Sequence, residues 1–234
     1  DCLVCLERVQ ELQGVRHDEE GLWIGAFTTH SVLLQDQLVR KDLPVLVKAL
    51  ESLGSPQIRN MGTIGGNICT ASPAGDCLPP LYLLDAVLEV RSRDAVRRVP
   101  IGSFITGPGE TKLREGEILS GVRVTAPEGF NVHHFEKTGQ RKSMAIAIAS
   151  LAALLRVSPR GLIEEARLAW GSIGPTVVRS PEIEQALAGL ELSRPSLMRA
   201  SKIISETAAP IDDLRASADY RRQVSGNLLL RLLA

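Results

Sequence analysis

The spacing of apolar residues changes several times along the chain. From Gly21 to Phe27 the run GLWIGAF reads as a short strand, and Thr28, Thr29 and Ser31 then offer hydroxyls to cap a helix. Leu43, Leu46, Val47, Leu50 and Leu53 recur at spacings of three and four, which predicts a helix over 43–53, capped by Asp42 and ended by Gly54. Between Gly54 and Pro80 no period is sustained. Glycine, proline and small polar residues dominate there, so a long loop is expected. Ala86–Val90 and Ile118–Val124 read as strands, separated by an arginine-rich turn at 91–98 and the Gly107-Pro108-Gly109 break. Pro127-Glu128-Gly129 marks a boundary. Beyond it, Ala145–Val157 and Leu162–Trp170 read as a hairpin around Ser158-Pro159-Arg160-Gly161, and helical spacing returns in Glu182–Leu190, Ser196–Thr207 and Ala218–Leu233. The pattern predicts an α+β chain with one unit over 1–127 and a second, strands first and helices after, over 128–234.

Composition narrows the function. The 27 Lys+Arg and 27 Asp+Glu cancel, which argues against a nucleic-acid binder, and eight aromatic residues are too few for a base-stacking platform. At 44% hydrophobic residues the chain is expected to fold around Leu, Val, Ile and Ala. Its longest nearly apolar run, Met144–Leu155, has 12 residues, against the roughly 20 that cross a bilayer. Asp1–Gln10 is charged throughout and unlike a signal peptide, so a cytoplasmic location is expected. The cysteines at 2, 5, 69 and 77 lack a second pair at ligand spacing and read as ordinary thiols; no metal site is expected.

The informative segment is RNMGTIGGNICTASPAGD, Arg59 to Asp76. Adjacent glycines at 65 and 66, between Ile64 and Asn67, let the backbone come within hydrogen-bond distance of a bulky anion such as a pyrophosphate. A purely structural Gly-Gly turn is the competing reading. The G-x-G-x-x-G, Walker A and H-E-x-x-H signatures are absent.

The whole stretch resembles the flavin-binding subunit or domain of molybdenum hydroxylases, a family that includes xanthine dehydrogenases and the medium subunit of carbon monoxide dehydrogenase. GLWIGAFTTH, EGEILSGVRV, HHFEKTGQRKSMAIAIAS, AWGSIGPTVVR and SADYRR resemble further segments of it in order, covering nearly the entire chain. The resemblance implies a two-part FAD-binding domain of the vanillyl-alcohol-oxidase-like type over 1–127, then a C-terminal domain of antiparallel strands and helices over 128–234. It implies FAD contacts at Thr63, Ile64, Gly65, Gly66 and Asn67, at Asp76, at the backbone of Leu119 and at Lys137, with Leu53 a looser match where relatives carry an aromatic residue.

No residue is required as catalytic acid or base. Electrons are expected to arrive from the clusters of a two-iron iron-sulfur small subunit, in a complex with a molybdopterin-binding large subunit, and to leave to NAD or another acceptor. The family opens with a Gly-rich loop of Ala-Gly-Gly type, and Asp1–Val15 resembles the segment just after it. That half of the pyrophosphate cradle is therefore expected outside these residues. Ser143-Met144 stands where many relatives carry an acidic residue.

Several positions have competing structural readings. Asp76 suits the cap of a helix starting near Pro79, Lys137 a solvated turn, Thr28 and Thr29 helix caps, and His133 and His134 surface or packing roles. Two rival functions are a flavin-free assembly module of such a complex and a flavin reductase acting alone on a small substrate.

Overall fold

The computed structural model describes residues 4–141 and 144–233. A hairpin opens the first half, with β1 (Val15–Asp18) paired antiparallel to β2 (Gly21–Gly25). Six short helices follow: α1 (His30–Gln35), α2 (Gln37–Asp42), α3 (Pro44–Ser52), α4 (Pro56–Met61), α5 (Ile64–Thr70) and α6 (Leu78–Leu83). The chain then forms β3 (Val87–Arg91), β4 (Val96–Pro100), α7 (Ile101–Phe104), the small pair β5 (Ile105–Gly107) and β6 (Glu110–Thr111), and β7 (Ile118–Val124). β7 lies at the centre of an antiparallel sheet ordered β1-β2-β7-β3-β4. Alternation along its strands puts Leu22, Ile24, Leu88 and Val122 into the core, while the other face pairs Asp18 with Arg123 and Glu20 with Arg98.

The segment 54–80 is not the expected long loop. It holds α4, α5 and the start of α6, each too short to show a helical period but started by a recognisable device. The Ser55 and Thr63 hydroxyls accept from the backbone N–H groups of Ile58 and Gly66, and Pro56 suits the first turn. Asp42 is not the cap of α3. It closes α2 and binds His17 of β1 at 2.7 Å, while Pro44, with no N–H to leave unpaired, starts α3. The arginine-rich turn is also shorter than expected, because Arg97 and Arg98 belong to β4 and pair with Val90 and Glu89.

The second half begins with β8 (Val132–Thr138), β9 (Ala149–Val157), β10 (Ile163–Gly171) and the short β11 (Val178–Arg179), an antiparallel sheet in the order β11-β10-β9-β8. It ends in α8 (Pro181–Leu187), α9 (Arg194–Thr207) and α10 (Ala218–Leu230). β9 is buried from Ala149 to Leu155 because both faces are covered. Ala152 and Leu154 join the first core beside α3 and α6, whereas Leu151, Ala153 and Leu155 face the second core under α8, α9 and α10. Two arginines fasten this sheet to the end of α6. Arg167 and Arg179 donate to the carbonyls of Leu83 and Tyr82 and also to the carboxylate of Asp85.

No helix among the described residues is long and apolar enough to cross a membrane. They also contain no group of three or more His, Cys, Asp or Glu side chains placed to hold a metal ion.

Candidate functional site

The glycine pair lies in the first turn of α5, where the segment leaving β2 crosses it. Thr29 bridges to Thr63, and the N–H groups of Ile64 and Gly65 donate to the carbonyls of Thr28 and Ala26 at 3.1 and 2.8 Å. Gly66 N–H donates to Thr63 Oγ1 at 3.0 Å, and Asn67 N–H donates to Thr63 O at 3.0 Å. The first-turn donors are thus satisfied within the chain. The close strand crossing and the Thr63 cap account for this.

The two glycines differ in what surrounds them. A Cβ on Gly65 would stand 2.6 Å from Ala26 O and 2.7 Å from Ala26 Cβ, so this glycine permits the crossing itself. A Cβ on Gly66 would meet nothing within 4 Å except Thr63 Oγ1 at 3.0 Å; its other side is open. Gly66 is one of the residues that line a cleft of about 270 Å³, with Phe27, Thr63, Cys69, Leu113 and Leu119 among others. Leu119 is placed there by a bulge in β7, where the register with β3 shifts between Glu89 and Val90 and the Ser120 hydroxyl donates to Glu89.

The structure therefore brings Thr63, Gly65, Gly66 and Leu119 to one cleft. Ile64 is fully buried in the core, so its side chain has no place in a ligand contact. Asn67 is half-buried, and its Oδ1 has no partner among the described residues. Leu53 is also in the core; its carbonyl accepts from Arg59 at 2.8 Å.

Asp76 and Lys137 meet at a second place. Lys137 Nζ donates to Asp76 Oδ2 at 2.5 Å, with both side chains 9% exposed. Lys137 sits in β8 opposite Ser150 of β9, which removes the solvated-turn reading. Asp76 caps nothing, since Cys77 occupies the cap position of α6 without a side-chain bond. Burial pushes the Asp76 carboxyl up, opposed by the charge and hydrogen bond of Lys137. Lys137 borders a cleft of about 650 Å³ with Glu51, Gly54, Phe135, Gln140 and Met144.

Other features escaped the sequence. His30 is 3% exposed, its Nδ1 has no partner among the described residues, and burial followed by the Arg59 charge brings its imidazole down to about 4. Gly62 makes room for that ring, because a Cβ there would be 3.0 Å from His30 Cδ2. Phe27 and Leu113 line the first cleft although neither belongs to a motif. Thr29 does cap α1, accepting from Val32 N–H at 3.3 Å, whereas Thr28 instead donates to Gly14 O. His133 and His134 are half-buried residues of β8. Cys5, Cys69 and Cys77 are free thiols. Cys2 and the Lys142-Ser143 pair fall outside the described residues.

Residues 1–127 match the FAD binding domain in molybdopterin dehydrogenase and residues 134–234 match the CO dehydrogenase flavoprotein C-terminal domain; the chain belongs to this family. It is 36% identical over 222 residues to the xanthine dehydrogenase FAD-binding subunit of Escherichia coli O157:H7, covering 94% of this chain and 75% of that one. Among solved structures, carbon monoxide dehydrogenase from Hydrogenophaga pseudoflava superposes with a TM-score of 0.89 at 30% identity, over 97% of this chain and 78% of that chain. Quinoline 2-oxidoreductase from Pseudomonas putida 86 gives 0.90 at 26% identity, over 96% and 77%. The relatives are oxidoreductase subunits.

Proposed function

We propose that this chain binds FAD as the flavin component of a molybdenum hydroxylase, taking electrons from the clusters of a two-iron iron-sulfur small subunit and passing them to NAD or another acceptor. The complex would include a molybdopterin-binding large subunit. When bound, FAD supplies the electron exchange. The chain's residues bind and orient it: Thr63, Gly65, Gly66 and Asn67 at the start of α5, Leu119 on the bulge of β7, and Asp76 with Lys137 where the two halves meet. Ile64 contributes through its backbone. The domain division at 127/128 and a cytoplasmic location, in keeping with free thiols at Cys69 and Cys77, belong to the same reading.

The observation that carries this reading is the cleft at the start of α5, which Gly66 lines together with Phe27, Thr63 and Leu119. One observation favours a second reading. With Ile64, Gly65 and Gly66 N–H already bonded within the chain, the glycine turn holds together without a ligand, as a flavin-free assembly module requires.

Flavin stoichiometry decides between them. The chain is purified with its co-expressed complex and in excess FAD, and bound flavin is measured by absorbance after gel filtration. About one FAD per chain is the expected result; a complex that assembles without flavin would establish the second reading instead.

A further inference from the structure

His30 opens α1 and supports the turn that leads into α5. Its backbone N–H donates to Gly62 O at 2.9 Å, and a Cβ on Gly62 would stand 3.0 Å from its Cδ2 and 3.3 Å from its Nε2. The ring thus rests against the residue just before Thr63, while Thr29 bridges to Thr63, whose hydroxyl takes the Gly66 N–H. The imidazole is buried, and its Nδ1 has no partner among the described residues. Arg59 of α4 is the charge that acts on it, and α5 carries no acidic or basic side chain. Arg40, Lys41 and Asp42 of α2 and Lys48 and Glu51 of α3 lie on helices packed against α1; Asp42 is bonded to His17, and none of the five counters Arg59. A second proton on this ring would meet neither an acceptor nor an opposite charge.

We propose that His30 is a positioning residue: its neutral ring holds the turn from Gly62 to Gly66 in the form that binds flavin, and its protonation opens that turn and releases FAD while both sheets stay folded. This rests on the flavin-binding reading above. The order of events follows from where the ring sits. It meets the junction of α4 and α5, helices of six and seven residues that are too short to persist without their caps and neighbours. The sheets are held separately, by strand pairing in which His30 takes no part. Burial and the Arg59 charge bring the imidazole down to about 4 from 6.5, so the opened turn binds the proton first as pH falls. FAD affinity is then full above pH 6.5 and falls about tenfold for each pH unit from there toward 4.

The test takes the assembled complex from pH 7.5 to 4.5 and measures free flavin after ultrafiltration, beside amide hydrogen exchange of residues 59–67, β7 and β9. Wild type is expected to lose flavin progressively below pH 6.5, with exchange rising at 59–67 before it rises in either strand. His30→Phe fills the space without taking a proton, and its FAD affinity should fall about a hundredfold less by pH 4.5. Should His30→Phe not fold, His30→Gln serves for the same comparison. The Asp76 carboxyl, which burial pushes up, titrates in every variant, so the difference from wild type reads His30 alone. An equal pH-dependent loss of flavin in variant and wild type overturns the proposal. Exchange that rises in turn and strands together would make the ring an ordinary part of the core and overturn it too. A complex that holds no FAD even at pH 7.5 overturns the flavin-binding reading and this proposal with it, an outcome distinct from the other two.

Discussion

Gly65 N–H donates to Ala26 O at 2.8 Å, and a Cβ on the same residue would stand 2.6 Å from that oxygen. The bond and the lack of a side chain are one requirement, since the helix reaches the strand only if nothing projects between them. Gly66, one residue on, carries no such constraint.

Gly65→Ala is therefore expected to destabilise the chain by about 1–3 kcal/mol, the usual penalty for overpacking. Gly66→Ala should keep nearly the wild-type melting temperature while lowering FAD occupancy. Melting curves and flavin content of the two variants check this pair; equal melting losses would show that the glycines share one structural role.

Thr63→Val removes the hydroxyl that accepts from Gly66 N–H. Loss of a helix cap costs about 1 kcal/mol. Thr63→Ser keeps the acceptor, and its unfolding midpoint in urea should lie close to wild type.

The buried imidazole of His30 makes stability depend on pH. Its folded value is brought down to about 4 from an unfolded 6.5, so the unfolded chain binds the proton first as pH falls. The contribution is fully present above pH 6.5 and is lost as pH falls toward 4, reaching about 3 kcal/mol. Urea titrations of wild type and His30→Gln at pH 7 and 4.5 measure it. The variant should lose less stability between the two, and parallel losses would place the dependence elsewhere.

Arg221 is 2% exposed and donates to Ile148 O at 2.6 Å, Ser172 O at 3.1 Å and Asp213 Oδ1 at 2.7 Å. It fastens α10 to the loops entering β9 and leaving β10. Arg221→Met strands two carbonyls, and a loss of roughly 3 kcal/mol is expected from unmet buried polar groups. Arg215→Met, whose side chain meets the same Asp213 from a half-buried position, should cost less.

The sequence was most legible where one period ran long enough to be read. The hairpin of β9 and β10 and the helices α9 and α10 stand close to their expected bounds. The segment 54–80 was misread because helices of six or seven residues offer too few turns for a period, although the Ser55 and Thr63 caps were visible. β1 and β8 were missed for another reason: β1 is largely exposed, and every residue of β8 is half-buried, so neither alternates in polarity. For the site, the resemblance drew attention to Asp76 and Lys137, but their pairing across 61 residues has no local trace. The same holds for His30, whose burial depends on Gly62 making room from another element.

β9 and its neighbours give one face to each half of the molecule. Phe130, Ala152, Leu154, Ala169 and Val177 lie in the C-terminal part of the chain yet complete the N-terminal core. A chimera that exchanges either half with a relative would therefore inherit a mismatched partition unless these five positions travel with the N-terminal surfaces they meet. The unit of exchange is the contact surface, and its border does not coincide with any point along the chain where the two halves divide.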